Sequence, residues 1–500
     1  LNRRPAAARF PQFPFLERGS ESALPASASL GTLEFSQESL QPDNFDESSP
    51  LSLPSRVKRV FASTSRKRQV DDVQKRLAKQ GKELKQEPPL DPTKLAAAFQ
   101  DGEEFENAKD MLSSVGVVHI DGNGVGAIMR DLGCAHRAVQ KVGVSTISDE
   151  ESKGLQSFIM EVNRRLDDVV KDAIALSWYY VQELTPDTVV PIVPVLVGGD
   201  DVTVYTDGRY AIPFAEAYIR HYEKLTKDDD LLSVLAIVAG GKKPDAPERD
   251  HFEIGDYIIQ SPGPLTASAG VAIVGRNFPF HIAYNLAEEL VSRGKTLGKK
   301  PGTVPCSTIN FHVLRDATVL DPEDTLNEHK GRTQRPFLIG HYAPQRIGDA
   351  TTTSAEETTI AAPQPLSSWA RILQAVAAFD GKKPDEPTQT TGDPFPRARA
   401  NRIVKLLAEG KEDQAATEWG DALQNAPSAG LLAKQLKLLS LHSSSSDEAG
   451  ESLEQIKWLL DLIDLSENLP DGYLASRIGQ GTDGAGFQET ADDSTEGGAK

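Results

Sequence analysis

The order of regular elements in this 500-residue chain predicts an α+β fold rather than a doubly wound sheet. Three observations carry the prediction. A β-branched apolar run from Val115 to Ile120 stops at Asp121-Gly122-Asn123-Gly124. Two β-rich runs flank Gly198-Gly199-Asp200-Asp201. Long amphipathic segments of helical period stand between them, so strands and helices do not simply alternate.

Residues 1–55 scatter Pro, Ser and Glu without a sustained period and are expected to be disordered. A basic helical segment is expected over 56–110, with its cations between Arg56 and Lys85. Such a row marks a solvated helix face, or in the sharper reading a contact with nucleic acid or an acidic partner.

The next unit spans 111–316. Val115–Ile120 reads as a buried strand ended by a tight turn, with a short helix after it. From Leu155 to Val181 apolar residues recur every three or four positions, the period of one helix face. The runs 189–197 and 202–205 read as a hairpin around the Gly-Gly-Asp-Asp turn. A helix is expected over 211–225, ended by Asp228, Asp229 and Asp230. Residues 231–238 and 265–274 read as two further strands separated by a polar insertion, and Ile282, Leu286 and Leu290 mark a closing helix over 280–295.

Residues 317–365 read as a linker, 366–466 as an α-helical domain and 467–500 as a disordered tail. The expected helices of that domain are 367–379, 396–423, 431–441 and 453–465.

Composition narrows the function. The formal net charge of -19 disfavours generic duplex binding, since an acidic surface repels a polyanion unless basic residues cluster. Cys134 and Cys306 are the only cysteines, which excludes a disulfide framework or a four-cysteine zinc site and fits a reducing cytoplasm. No apolar run approaches the roughly 18 residues that span a bilayer, so no membrane partner is expected.

The acidic residues carry the chemistry. Joining nucleotides calls for two divalent cations about 3.5 to 4 Å apart, one beside the attacking oxygen and one beside the leaving phosphate. Small acidic clusters on rigid strands hold such ions. Asp121 at one strand end, with Asp200 and Asp201 at a hairpin tip, supplies a catalytic and metal-binding set for two Mg2+ or Mn2+ ions if the strands are neighbours. Gly198 and Gly199 permit a tight turn and leave no side chain against an incoming phosphate. Gly122, Asn123, Gly124 and Gly126 would bring backbone N–H groups to a triphosphate. The glycine triplet is no dinucleotide fingerprint, because no acidic residue stands at a strand end about 20 positions later.

Gly-Gly-Asp-Asp also makes an ordinary hairpin turn. Against that, two adjacent aspartates repel each other and gain nothing in a turn without a cation, a further Asp ends the earlier strand, and a lysine follows the last helix.

Asp121 to Gly126, the run Val193 to Thr206, Ser268 to Ile273 with the helix after it, and Cys306 to His312 follow one another as in the CRISPR polymerase family. The chain resembles the second palm of the large subunit of type III CRISPR effector complexes over residues 116–316. The resemblance implies a ferredoxin-like palm, more distantly similar to GGDEF-type cyclases, that converts ATP or another nucleoside triphosphate into a cyclic oligoadenylate or related signal in antiviral defence. It places the metal-binding aspartates at Asp121, Asp200 and Asp201, and a triphosphate-reaching lysine at Lys295. Ser268 is a weaker nucleotide-pocket candidate. His119 and His312 on predicted strands are expected in the core or on the surface rather than as ligands.

The chain departs from that family too. It carries no His-Asp nuclease pair and no Cys cluster. In the family, ATP lies between two palms, so one palm implies a homodimer or a partner palm, with RNA or CRISPR proteins as further partners. Two alternatives stand: a degenerate nucleotide-binding palm acting as scaffold, and a diguanylate cyclase, against which Asp201-Val202 replaces that family's Glu-Phe pair.

Overall fold

The structure, a computed structural model, describes residues 50–84, 114–130, 154–184, 192–239, 251–254, 257–260, 263–298, 306–315, 321–328, 331–339, 345–346, 369–425, 427–440 and 448–478, besides a few isolated positions. The disorder expected over 1–49 and 479–500, the second half of the basic segment and most of the 317–365 linker lie outside the described residues.

The chain opens with α1 (Leu53–Ala78), followed by β1 (Ser114–Asn123), α2 (Val125–Arg130), α3 (Leu155–Glu183), β2 (Ile192–Gly198), β3 (Asp201–Asp207) and α4 (Gly208–Asp228). Then come α5 (Leu232–Ala239), β4 (His251–Ile254), β5 (Tyr257–Gln260), β6 (Thr266–Gly275), α6 (Phe280–Gly298), β7 (Ser307–Val313), α7 (Pro322–Glu328), β8 (Phe337–Ile339) and β9 (Gln345–Arg346). Six of the strands make one mixed sheet in the order β2-β3-β1-β6-β7-β8. β1 is paired antiparallel on both sides, with β3 and β6, and β6 runs parallel to β7. The first four strands, with α3 crossing from β1 to β2 and α4 from β3 to β6, have the β-α-β-β-α-β connectivity of a split β-α-β unit.

Period-two alternation sorts the sheet into two faces. Val118, Ile120, Val202, Val204, Val271 and Ile273 pack with Phe158, Val162, Ile174 and Trp178 of α3 and Phe214, Tyr218 and Tyr222 of α4. Val115, Val117, Val193, Tyr205, Ala272 and Val274 pack with Ala283, Leu286, Ala287 and Leu290 of α6. β1 shows no apolar–polar alternation from Val115 to Val118 because both of its faces are covered.

The structure corrects several expectations. Residues 231–238, read as a strand, form the helix α5: a short apolar run has no periodicity to separate the two states, and Asp229 decides locally by accepting the N–H groups of Leu231 and Leu232 at 2.9 and 2.8 Å. The supposed linker holds α7, the sixth strand β8 and β9, so the sheet unit runs past 316 to Ile339. The polar insertion carries the β4–β5 pair, which β9 joins as a third strand. Ordered chain starts before residue 56, since Leu51 and Ser52 are buried and α1 begins at Leu53.

The helical domain comprises α8 (Trp369–Phe379), the two-stranded β10 (Lys382–Lys383) and β11 (Glu386–Thr390), then α9 (Arg397–Ala408), α10 (Glu412–Asn425), α11 (Pro427–Leu439), α12 (Glu448–Ile456), α13 (Leu459–Asn468) and α14 (Asp471–Ile478). The single helix expected over 396–423 is two, broken at Gly410, whose φ of 70° ends α9. α14 occupies part of the expected disordered tail: Tyr473 is buried and accepts a hydrogen bond from Trp369 Nε1 at 3.0 Å, and Arg477 pairs with the buried Glu216 of α4. At the far sheet edge Phe337 of β8 stacks on Trp458 with ring centroids 5.9 Å apart. The helical domain is thereby fastened to the sheet unit at two places. Among the described residues no helix is long and apolar enough to cross a membrane.

Candidate active site

Register places the acidic residues before any side chain is considered. Gly198 pairs with Asp201, and Asp121 pairs with Ser268, itself opposite Thr308. Val202 pairs with Ile120, so one step further along the same antiparallel register Asp201 faces Asp121. The result is a row across the sheet on its α6 face, with the carboxylates at the end of the central strand. The next row inward is Leu196, Thr203, His119 and Gly270, and the one after it Val193, Tyr205, Val117 and Ala272.

Asp200 joins from the hairpin tip. Gly199 has a φ of 62°, a conformation other residues adopt only with strain, and it reverses the chain so that Asp200 turns back over β1. Gly122 receives it: a Cβ there would lie 2.9 Å from the Asp200 Cβ and 2.9 Å from Val125 Cγ2. One carboxylate oxygen from each of Asp121, Asp200 and Asp201 lies within 4.8 Å of the others.

Lys295 reaches this row from the last turn of α6, forming an ion pair with Asp121; their side chains are 22% and 28% exposed. One ammonium against three carboxylates leaves the cluster negative. Burial, and then the neighbouring Asp121, raises both Asp200 and Asp201 above the usual carboxylate range. Burial lowers the pKa of His119, whose Nδ1 lies 2.9 Å from Thr203 Oγ1.

The other predicted residues divide. Gly124, with a φ of 83°, forms the turn into α2, whereas Gly126 is within that six-residue helix and Gly198 lies in β2 without positive φ, so Gly199 alone carries the turn geometry expected of the pair. Asn123 and Ser268 come together but in the interior. Ser268 Oγ donates to Asn123 Oδ1 at 3.0 Å and accepts from Thr308 Oγ1 at 2.9 Å, while Asn123 Nδ2 donates to Thr266 Oγ1 and to the Cys306 carbonyl at 3.2 and 3.1 Å. Both are essentially without exposed surface. They brace β1, β6 and the entry to β7 beneath the carboxylates. His312 is likewise buried.

Sequence reasoning overlooked four residues. Glu288 and Tyr284 stand on α6 on the same helical row as Lys295, separated by four and seven residues, a spacing that could have marked them. Both are electrostatically coupled to the cluster: burial, then Glu288 and Asp201, raises the Tyr284 phenol, and Glu288 adds to the burial and the Asp121 charge that raise Asp201. On the opposite face, the buried hydroxyls of Tyr218 and Tyr222 have no hydrogen-bond partner among the described residues. No family model matches the chain. No curated protein matches it either.

Proposed function

We propose that this chain is a metal-dependent nucleotidyltransferase of the CRISPR polymerase type, a ferredoxin-like palm that converts ATP or another nucleoside triphosphate into a cyclic oligoadenylate or related cyclic nucleotide. The observation that carries the reading is the meeting of Asp121, Asp200 and Asp201 from two adjacent strands, with one oxygen of each within 4.8 Å and Lys295 alongside.

The donor set fits divalent magnesium or manganese. It is all oxygen, anionic and half-exposed, and burial with repulsion from Asp121 disfavours the charges of Asp200 and Asp201 until a cation balances them. Asp121, Asp200 and Asp201 would hold the ions, which when bound would activate a ribose hydroxyl and neutralise the departing phosphate. The chain's own residues then have separate tasks. Lys295 is an ammonium at the rim that can pass from Asp121 to a phosphate oxygen. Gly199 and Gly122 let the hairpin tip close onto β1, and the Asn123–Ser268–Thr308 chain holds the strand ends in register. Two nucleotides must be held with one sugar near the other's α-phosphate. One carboxylate row on one sheet serves one of them, so a second copy or a partner palm supplies the other in this reading, in the cytoplasm of a cell using the signal for antiviral defence.

The test is incubation of the full chain with each radiolabelled nucleoside triphosphate and magnesium or manganese, followed by chromatography of the products. A cyclic or linear oligonucleotide from ATP supports the reading. No product from any nucleoside triphosphate, with the chain alone or with a partner palm, would refute it and leave a nucleotide-binding scaffold.

A further inference from the structure

α6 lies over β1, β6 and β7; on the β2–β3 side of the same face Val193, Thr203 and Tyr205 are buried, and the surface opens at the hairpin end of β2. Along that opening Leu196 is 44% exposed and Phe280 38% exposed, beside the equally open Val195. The exposed border on the helix side is aromatic. Phe280 and Tyr284 are near-parallel, with centroids 6.3 Å apart and planes at 29°; Tyr205 approaches Phe280 at 5.9 Å, and His119 meets the Tyr284 ring edge-on at 5.3 Å. Of these rings, His119 and Tyr205 belong to the two sheet rows immediately inward of the carboxylates, and Phe280 and Tyr284 stand beside them on α6. His119 is two residues from Asp121 on the same face, about 6.6 Å along the strand, roughly the span of a sugar between phosphate and base.

Resting on the nucleotide reading above, we propose that Tyr284 and Phe280 form the stacking surface for the base of the nucleoside triphosphate whose phosphates meet Lys295 and the aspartates. The row on α6 has the order such a ligand requires: Lys295 at the phosphate end, the exposed carboxylate of Glu288 between, and Tyr284 and Phe280 at the base end. Glu288 faces the region where a sugar hydroxyl or an exocyclic amine would donate. An aromatic border tolerates any base face, so stacking alone supplies affinity, while Glu288 favours a base edge bearing donors over one bearing acceptors. The patch is continuous with the carboxylate row, and that continuity favours a nucleotide over a protein segment as its occupant.

The experiment compares two probes on the intact chain by calorimetry with Mn2+: ATP, and inorganic tripolyphosphate, which has no base. Tyr284→Leu keeps apolar volume but removes the ring; Phe280→Ala alters an exposed position. Each should weaken ATP roughly tenfold or more, the loss typical of one base–aromatic stack, and leave tripolyphosphate unchanged. Equal weakening of both probes, or no change in either, would overturn the base platform while Asp200→Asn with Asp201→Asn, by abolishing both, would still uphold the nucleotide reading. Wild type binding neither probe would sink both. Sedimentation of the same variants separates the remaining alternative: if Phe280→Ala lowers self-association with the ratio of the two affinities unaltered, the patch is a protein contact and the proposal fails.

Discussion

Two acidic clusters lie at opposite ends of the same sheet, and they are built on opposite principles. At the β7–β8 edge, Asp461 and Asp464 of α13 face Arg335 and Arg315: Arg335 donates to Asp461 Oδ1 at 2.5 Å, to Asp464 Oδ2 at 2.6 Å and to the Phe311 carbonyl at 2.8 Å, and Arg315 donates to Asp464 at 2.8 Å. Asp461 also accepts the Gln334 N–H at 2.8 Å and has no exposed surface. Arg315 also donates to Glu467 at 2.7 Å, a carboxylate that Arg397 shares at 3.1 Å, so each carboxylate here has an arginine partner and is directionally satisfied. At the β1–β3 end, three half-exposed carboxylates share one lysine. A structural ion cluster is buried because it is neutral and hydrogen-bonded, whereas a cluster left with excess charge and open to solvent has the composition of a cation site. The comparison therefore separates fastening from function by charge balance.

The largest expected effect breaks the open cluster. Asp200→Ala with Asp201→Ala should reduce product formation to background while the chain still unfolds in one cooperative thermal transition, because no buried apolar surface is deleted. Product chromatography and a melting curve on one preparation check both halves. Activity near wild type in the double variant would remove these aspartates from the chemistry.

The balanced cluster should respond in the other sense. Arg335→Met leaves Asp461 and Asp464 buried without their main cation, and should cost about 3–5 kcal/mol in urea unfolding. A smaller effect, opposite in sign, is expected at the site. Burial and Asp121 raise Asp200 and Asp201, so the fold binds their protons more tightly than the unfolded chain does. Their contribution therefore weakens as pH climbs from the unfolded toward the folded value, and at neutral pH the metal-free fold carries charges it disfavours. Asp200→Asn with Asp201→Asn should melt above wild type in a chelator at pH 7, and below it in saturating Mn2+. A double variant that melts lower under both conditions would mean that these carboxylates are structural, like Asp461.

How much of this was legible depends on whether a signal was local. The β1 run and the hairpin around Gly199 carry their own turn chemistry, and the carboxylates followed from their positions at strand ends. α5 was misread because its eight residues are apolar on every side and the deciding cap, Asp229, looked like a helix breaker. β8 escaped notice because three residues at a sheet edge have no measurable period and owe their strand to pairing with β7. Ser268 and Asn123 have polar side chains suited to a nucleotide, but pairing across β1 and β6 turns them toward each other, and only register reveals that. Lys295 was legible as a position; its partner Asp121 was not, since that contact depends on α6 lying on the β1 side of the sheet.

The smallest expected effect concerns two tyrosines, one beneath the open cluster and one where the helical domain meets α4. Tyr222 lies under the open cluster on the α4 side, stacked on Tyr218 with centroids 5.9 Å apart, and its buried hydroxyl has no partner among the described residues. Tyr473 is equally buried, beside the Arg477–Glu216 pair that joins α14 to α4, but its hydroxyl accepts the Trp369 indole N–H at 3.0 Å. Removing an unpaired buried hydroxyl deletes a desolvation cost, so Tyr222→Phe should leave stability unchanged or raise it by up to about 1 kcal/mol. Tyr473→Phe removes the same atom and strands the indole N–H in the interior, which should cost about 1–3 kcal/mol. Paired urea titrations read the difference directly, because both changes conserve shape and the slope should not alter. If Tyr222→Phe proves as costly as Tyr473→Phe, the Tyr222 hydroxyl is bonded to something held in place, and a water shared with Asp200, whose charge also acts on that phenol, becomes the group to find.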